Sequence, residues 1–164
     1  MVVEVQELDQ YETFIRELSS EPCFYDPHFC YDADNLYGAP RRKDESVYAV
    51  VDEGTVHGLF VWLILPEDRY VEMLIGFTRE ERAFCEMLEF LGERYAGWDA
   101  DLVINPRNEA LRRPLEARGG RFEPEQQRMR WSGVLPEAPA VRVEIYTERW
   151  RGPYLALHRT DTYW

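Results

Sequence analysis

The chain has 164 residues, 45% of them hydrophobic and 14% aromatic, which is the length of one domain with enough apolar material for a core, not the composition of a disordered segment. A formal net charge of −12 and a pI near 4.7 create a field that repels phosphate backbones, which argues against general nucleic-acid binding. Three cysteines argue against a disulfide framework, and without a secretory leader or a run near the ~18 apolar residues of a membrane span, the cytoplasm is the expected compartment.

Residues 2–5 read as a short strand. Asp9 opens a helix in which Tyr11, Phe14, Ile15 and Leu18 recur at helical spacing. Residues 21–43 have no period and hold Pro22, Pro27, Gly38 and Pro40 among scattered aromatics; a loop of that length commonly lines a groove. Three strand-like runs follow, 47–51, 56–65 and 70–77, joined by the polar turns Asp52-Glu53-Gly54 and Pro66-Glu67-Asp68, so an antiparallel meander is the simplest pairing. Thr78 stands as N-cap of the longest helix, with Glu81 completing a capping box. Phe84, Met87, Leu88, Leu91 and Tyr95 form its apolar stripe and Gly97 lies past its end. Residues 100–104 read as a short buried strand, and strand, helix, strand in that order predicts a parallel pair with a right-handed crossover. Asn105 or Asn108 caps a last helix, interrupted by Pro114 and ended by Gly119-Gly120, before a closing strand over 122–131.

This order, with Asn108, Ala110 and Leu111 opening the last helix and Gly119-Gly120-Arg121-Phe122 closing it, resembles the GNAT acyltransferase superfamily over residues 1–135. The resemblance implies an α/β (α+β) fold: a mixed sheet in the order β-α-loop-β-β-β-α-β-α-β, central strands splayed, helices on both faces. It also implies transfer of an acetyl or other acyl group from acyl-CoA, held in the V between the splayed strands, to a primary amine. The acidic surface favours a cationic acceptor. Carried onto this chain, the cofactor-binding positions are Leu74 and Gly76 on the fourth strand, Thr78, Arg79 and Arg82 at the turn into the helix, and Asn108. Glu72 alternates with apolar Val71 and Met73 on a strand expected to be largely covered, so a half-buried carboxylate there is the candidate general base. No metal is expected, because Cys23, His28 and Cys30 match no zinc spacing.

The chain also departs from the family pattern. The pyrophosphate loop Q/R-x-x-G-x-G/A lets backbone N–H groups at a helix N-terminus approach phosphate. Here the stretch reads Gly76-Phe77-Thr78-Arg79-Glu80-Glu81-Arg82, and the next glycine is Gly92. Arg79 and Arg82 are suitable phosphate partners, whereas Glu80 and Glu81 place carboxylates where phosphate would sit. The tyrosine that commonly protonates the CoA thiolate falls near Leu115, leaving Tyr37, Tyr70 or Tyr95 as substitutes. These departures imply the alternative of a non-catalytic GNAT-like domain that has lost CoA and acts as an interaction or scaffold module. Residues 136–164 are a C-terminal extension. Val143-Glu144-Ile145, Tyr154 and Leu155 echo Val3-Glu4-Val5, Phe14 and Ile15, which reads either as the start of a second GNAT-like unit or as an added hairpin. The expected partners are a small-molecule amine or a second GNAT-like domain, with a homodimer as a further expectation, and neither nucleic acid nor membrane. Between residues 105 and 130 seven arginines face four glutamates, which reads as an exposed helix face with intrahelical pairs or as a local anion site.

Overall fold

The computed structural model describes residues 1–24, 26, 29–30, 32–121 and 147–152. The chain divides into two compact units, Met1–Glu125 and Gln126–Trp164. In the second, the described residues form a single 3-10 turn, Glu148–Trp150; the expected boundary at 135, the closing strand over 122–131 and most of the sequence echo lie outside the described residues.

The first unit begins with strand β1 (Val2–Val5), a 3-10 turn (Asp9–Tyr11) and helix α1 (Glu12–Ser19). The segment expected to be irregular contains a short helix, α2 (Asp34–Tyr37), and a 3-10 turn (Ala39–Arg41). Each is only one turn long, too short to show a hydrophobic period. Strands β2 (Glu45–Asp52), β3 (Thr55–Leu65) and β4 (Tyr70–Thr78) form the expected antiparallel meander, and β1 adds antiparallel to β2. Helix α3 (Glu81–Arg94) then crosses to β5 (Asp99–Leu102), which pairs parallel with β4, and α4 (Glu109–Ala117) follows. The sheet order is β1-β2-β3-β4-β5. Among the described residues no helix is long and apolar enough to cross a membrane.

Helices cover both faces. On one, Val47, Ala49, Leu59, Val61, Ile75 and Phe77 pack with Ile15 and Leu18 of α1 and Leu36 of α2. On the other, Tyr48, Val50, Phe60, Trp62, Val71 and Met73 pack with Phe84, Met87 and Leu91 of α3 and Leu111 of α4. The stripe read from sequence on α3 is thus its buried side. Gly97 takes φ +75° just past α3, the left-handed backbone that favours glycine after a helix. Two expectations fail. β5 is exposed over Asp99–Asp101, because it ends the sheet and carries two carboxylates, which stay in water. Pro114 does not interrupt α4 but lies buried inside it; as its sixth residue it removes the one intrahelical bond that an N–H there would make to Ala110 O, and its burial offsets that loss.

Candidate functional site

The site is organised by a bulge in β4. Val61 pairs with Ile75 and Trp62 with Met73, so Leu74 is the extra residue. A strand alternates faces residue by residue, and one extra residue reverses that alternation. Val71 and Met73 therefore face α3, whereas Ile75 and Phe77 face α1. Leu74 packs on the α1 side. Gly76 turns toward α4, where an added Cβ would lie 3.2 Å from Leu111 Cδ1 and 2.9 Å from Met73 Cε.

Pairing with β5 stops just before the bulge. Met73 pairs with Leu102, and a last bond runs from Val103 N–H to Met73 O (3.1 Å). β4 continues to Thr78, so the two strands part and leave a cleft along the outer edge of β4. Buried backbone groups on such an edge need other partners, and side chains supply them. Gly76 N–H donates to Asp26 Oδ2 (3.1 Å), and Asp26 is 2% exposed. Asn108, 1% exposed, donates through Nδ2 to Thr78 O (3.2 Å), while its Oδ1 finds no donor among the described residues. At the rim, Asn105 Nδ2 donates to Pro22 O (3.2 Å).

The turn into α3 differs from the expected capping box. Thr78 remains in β4; its hydroxyl donates to His57 O (2.8 Å) and accepts from Glu80 N–H (2.9 Å). Glu80 is the N-cap of α3, with no side-chain cap bond. Its carboxylate lies 2.6 Å from Nδ1 of His57, the bulge residue of β3. Thr78 cannot cap because the strand extends through it, and the backbone N–H groups of the first turn of α3 are left without a side-chain acceptor. Neither arginine points at that turn. Arg79 pairs with Glu21 and Glu17 and lies 5.5 Å over the Phe24 ring; Arg82 pairs with Asp52 (3.2 Å). The arginines on α4 pair within the helix, Arg112 with Glu116 and Arg113 with Glu109, as an exposed helix face would.

Glu72 sits half-buried before the bulge and aligns with Asp101 across the parallel pair. Tyr70 OH donates to Asp101 Oδ2 (3.0 Å). Burial pushes the Tyr70 hydroxyl pKa well above the ordinary tyrosine range, helped by that bond and by the Glu72 carboxylate, so Tyr70 stays protonated. Of the other tyrosines considered, Tyr37 donates to Glu12 (2.8 Å) and Tyr95 accepts from Arg94. Glu72 and Tyr70 are thus brought together, while Leu74, Gly76, Thr78 and Asn108 line the open half of β4, and Arg79 and Arg82 diverge from it. Leu115 is half-buried against the α3-side core. A separate polar pocket of about 390 Å³, lined by residues including Gln6, Tyr37 and Arg41, contains Tyr37 but none of the expected cofactor positions and not Glu72. Of Cys23, His28 and Cys30, His28 lies outside the described residues, and the described residues hold no metal-ligand cluster. The sequence reading missed Asp26, Asp101 and the His57–Glu80 pair. Only Asp101 was within reach, since a parallel register for β5 places it beside Glu72.

No protein-family model matches the chain, and no curated protein matches it in sequence. Solved structures do match. The ribosomal-protein-alanine N-acetyltransferase of Brucella melitensis biovar Abortus 2308 is similar at 12% identity and TM-score 0.52, over 80% of this chain and 99% of that one. AAC(6')-Iy, in complex with the bisubstrate analogue CoA-S-monomethyl-acetylneamine, is similar at 12% identity and TM-score 0.53, over 81% and 98%. A possible acetyltransferase from Clostridium difficile 630 gives 9% and 0.53, over 82% and 98%. The chain has the GNAT fold. At such identities the likeness is one of fold, and a GNAT fold by itself assigns no activity.

Several features of this cleft as the chain holds it oppose acyl-CoA, the group a GNAT fold implies. A carboxylate occupies the Gly76 N–H, Arg79 and Arg82 are paired elsewhere, and Glu80 and Glu81 bring negative charge to the start of α3. A phosphate there would meet like charge at the positive end of the helix.

Proposed function

We propose that this GNAT-fold domain is an interaction or scaffold module that does not use acyl-CoA in the β4–β5 cleft. The observation that carries this reading is the buried Asp26 carboxylate on Gly76 N–H. It fills the open edge of β4 with the chain's own charge. The sequence echo of residues 3–15 in 143–155 favours a second GNAT-like domain as the partner. The test is calorimetric titration of the chain with acetyl-CoA, together with a thermal-shift scan. Silence at millimolar acetyl-CoA is expected. A dissociation constant tighter than roughly 100 μM would overturn the reading; at ~100 times that constant the ligand would also add about 2.7 kcal/mol of stability.

That second outcome would return the acyltransferase reading, in which an acyl group passes to a primary amine of a cationic acceptor. One observation favours it. Tyr70, Glu72 and Asp101 gather on the paired strands β4 and β5 just before the bulge, where two carboxylates suit an ammonium group. In that reading Glu72 accepts the proton the ammonium must lose.

A further inference from the structure

Five contacts tie the segment after α1 across the parted strands. Arg79 pairs with Glu21 and lies over Phe24. Asn105 donates to Pro22 O, Asp26 accepts from Gly76 N–H, and Phe29 sets its edge against Phe77 with centroids 5.3 Å apart. Only the Asp26 contact is both buried and charged. Its other oxygen, Oδ1, accepts from Phe29 N–H (3.2 Å), and its backbone carbonyl from Cys30 N–H (3.0 Å). Exposed ion pairs such as Arg79–Glu21 contribute little. A buried carboxylate is costly unless it is hydrogen-bonded, and Asp26 uses one oxygen on its own turn and the other on β4. What Asp26 supplies is an acceptor oxygen for a strand N–H that has lost its neighbouring strand.

We propose that Asp26 is an intramolecular ligand of the β4 edge: its carboxylate oxygen takes the place of a ligand's carbonyl oxygen on Gly76 N–H, and this one side chain keeps an acyl-pantetheine chain out of the cleft. The inference rests on the reading of the domain as one that does not use acyl-CoA, and deepens it by naming the cause. It also implies that the recognition surface beneath Asp26 is intact.

The test compares wild type, Asp26→Ala and Asp26→Asn by calorimetric titration with acetyl-CoA and, separately, with pantetheine, which lacks the phosphates. The alanine variant is expected to bind pantetheine at least about tenfold more tightly than wild type, with a smaller gain for acetyl-CoA because Glu80 and Glu81 still oppose its phosphates, and excess acetate should compete by refilling the vacated carboxylate position. Asparagine keeps the side-chain volume and an acceptor oxygen and should remain closed. Asp26→Ser clears most of the same volume and carries the alanine expectation should the alanine variant fail to fold. A folded alanine or serine variant as silent as wild type toward both probes would overturn the proposal while leaving the scaffold reading in place. Binding by wild type would instead overturn the scaffold reading, and the two failures are therefore distinct.

Discussion

The two halves of β4 solve opposite problems on either side of one extra residue. Tyr70 to Met73 have a strand on each side, β3 antiparallel and β5 parallel. Their backbone is satisfied by the sheet, and the polar side chains Tyr70 and Glu72 are left to gather with Asp101. Beyond Leu74 the strand keeps β3 but loses β5, and its residues are buried from Ile75 to Thr78. There the side chains face the helices and the outer backbone edge must be satisfied by residues distant in sequence, Asp26 and Asn108. Where the sheet supplies the hydrogen bonds, side chains are free for chemistry; where it does not, side chains are spent on the backbone.

The strongest way to break this contrast is to delete Leu74. Without the extra residue Ile75 would follow Met73 directly, so Ile75 and Phe77 would still face α1 and Gly76 would still face α4. What the deletion removes is the bulge, with the bend and twist it gives the strand, and the packing of Leu74 on the α1-side core. The expected outcome is a cooperative urea transition, read by circular dichroism, at a stability lower by about 2 kcal/mol or more, as for truncating a core leucine. An unchanged midpoint would show that the bulge is incidental. A gentler probe is Gly76→Ala. Its Cβ would come 2.9 Å from Met73 Cε and 3.2 Å from Leu111 Cδ1, overpacking worth about 1–3 kcal/mol. A lower urea midpoint at unchanged slope is expected. An unchanged midpoint would mean that Met73 swings aside and that the glycine answers to something other than α4.

The meander, both long helices and the parallel crossover were legible because each is carried by a local period or a short polar turn. Val47, Leu59, Phe84 and Leu91 are buried as their spacing requires. The capping box was misread because Thr78 and Glu81 have the right spacing for a cap, yet nothing local says that β4 extends through Thr78. The bulge at Leu74 is silent for a related reason: in the run Val71-Glu72-Met73-Leu74-Ile75, an unbroken apolar stretch hides the reversal of faces. Asp26 is harder still. It lies in a stretch without period, its partner Gly76 is fifty residues away, and an aspartate among prolines and aromatics reads as a solvated turn. Of the candidate cofactor positions, Leu74, Gly76 and Thr78 lie on β4 beyond its pairing with β5; what meets that edge came from tertiary contact alone.

The smallest effect sharpens the contrast by pH. Tyr70 is the single tyrosine of β4 and belongs to the paired half. Its pKa is raised first by burial, then by the bond to Asp101 and the charge of Glu72. Because the folded value lies above the unfolded 10.0, its contribution to stability is complete below pH 10 and is lost as pH climbs above it, when the unfolded chain releases a proton that the folded chain retains. Tyr37 and Tyr48, each pushed up to about 12 chiefly by burial, act in the same direction between pH 10 and 12. Wild type should therefore lose stability steadily above pH 10, and Tyr70→Phe should make that decline shallower, since one of the groups responsible is gone. Urea midpoints at pH 8 and at pH 10.5 for the two proteins give the comparison. Parallel declines would mean that Tyr70 is neither as buried nor as firmly bonded to Asp101 in solution as the structure shows. A shallower decline for the variant would mark Tyr70 as a buried, hydrogen-bonded hydroxyl in solution, in the half of β4 where the sheet has released side chains from serving the backbone.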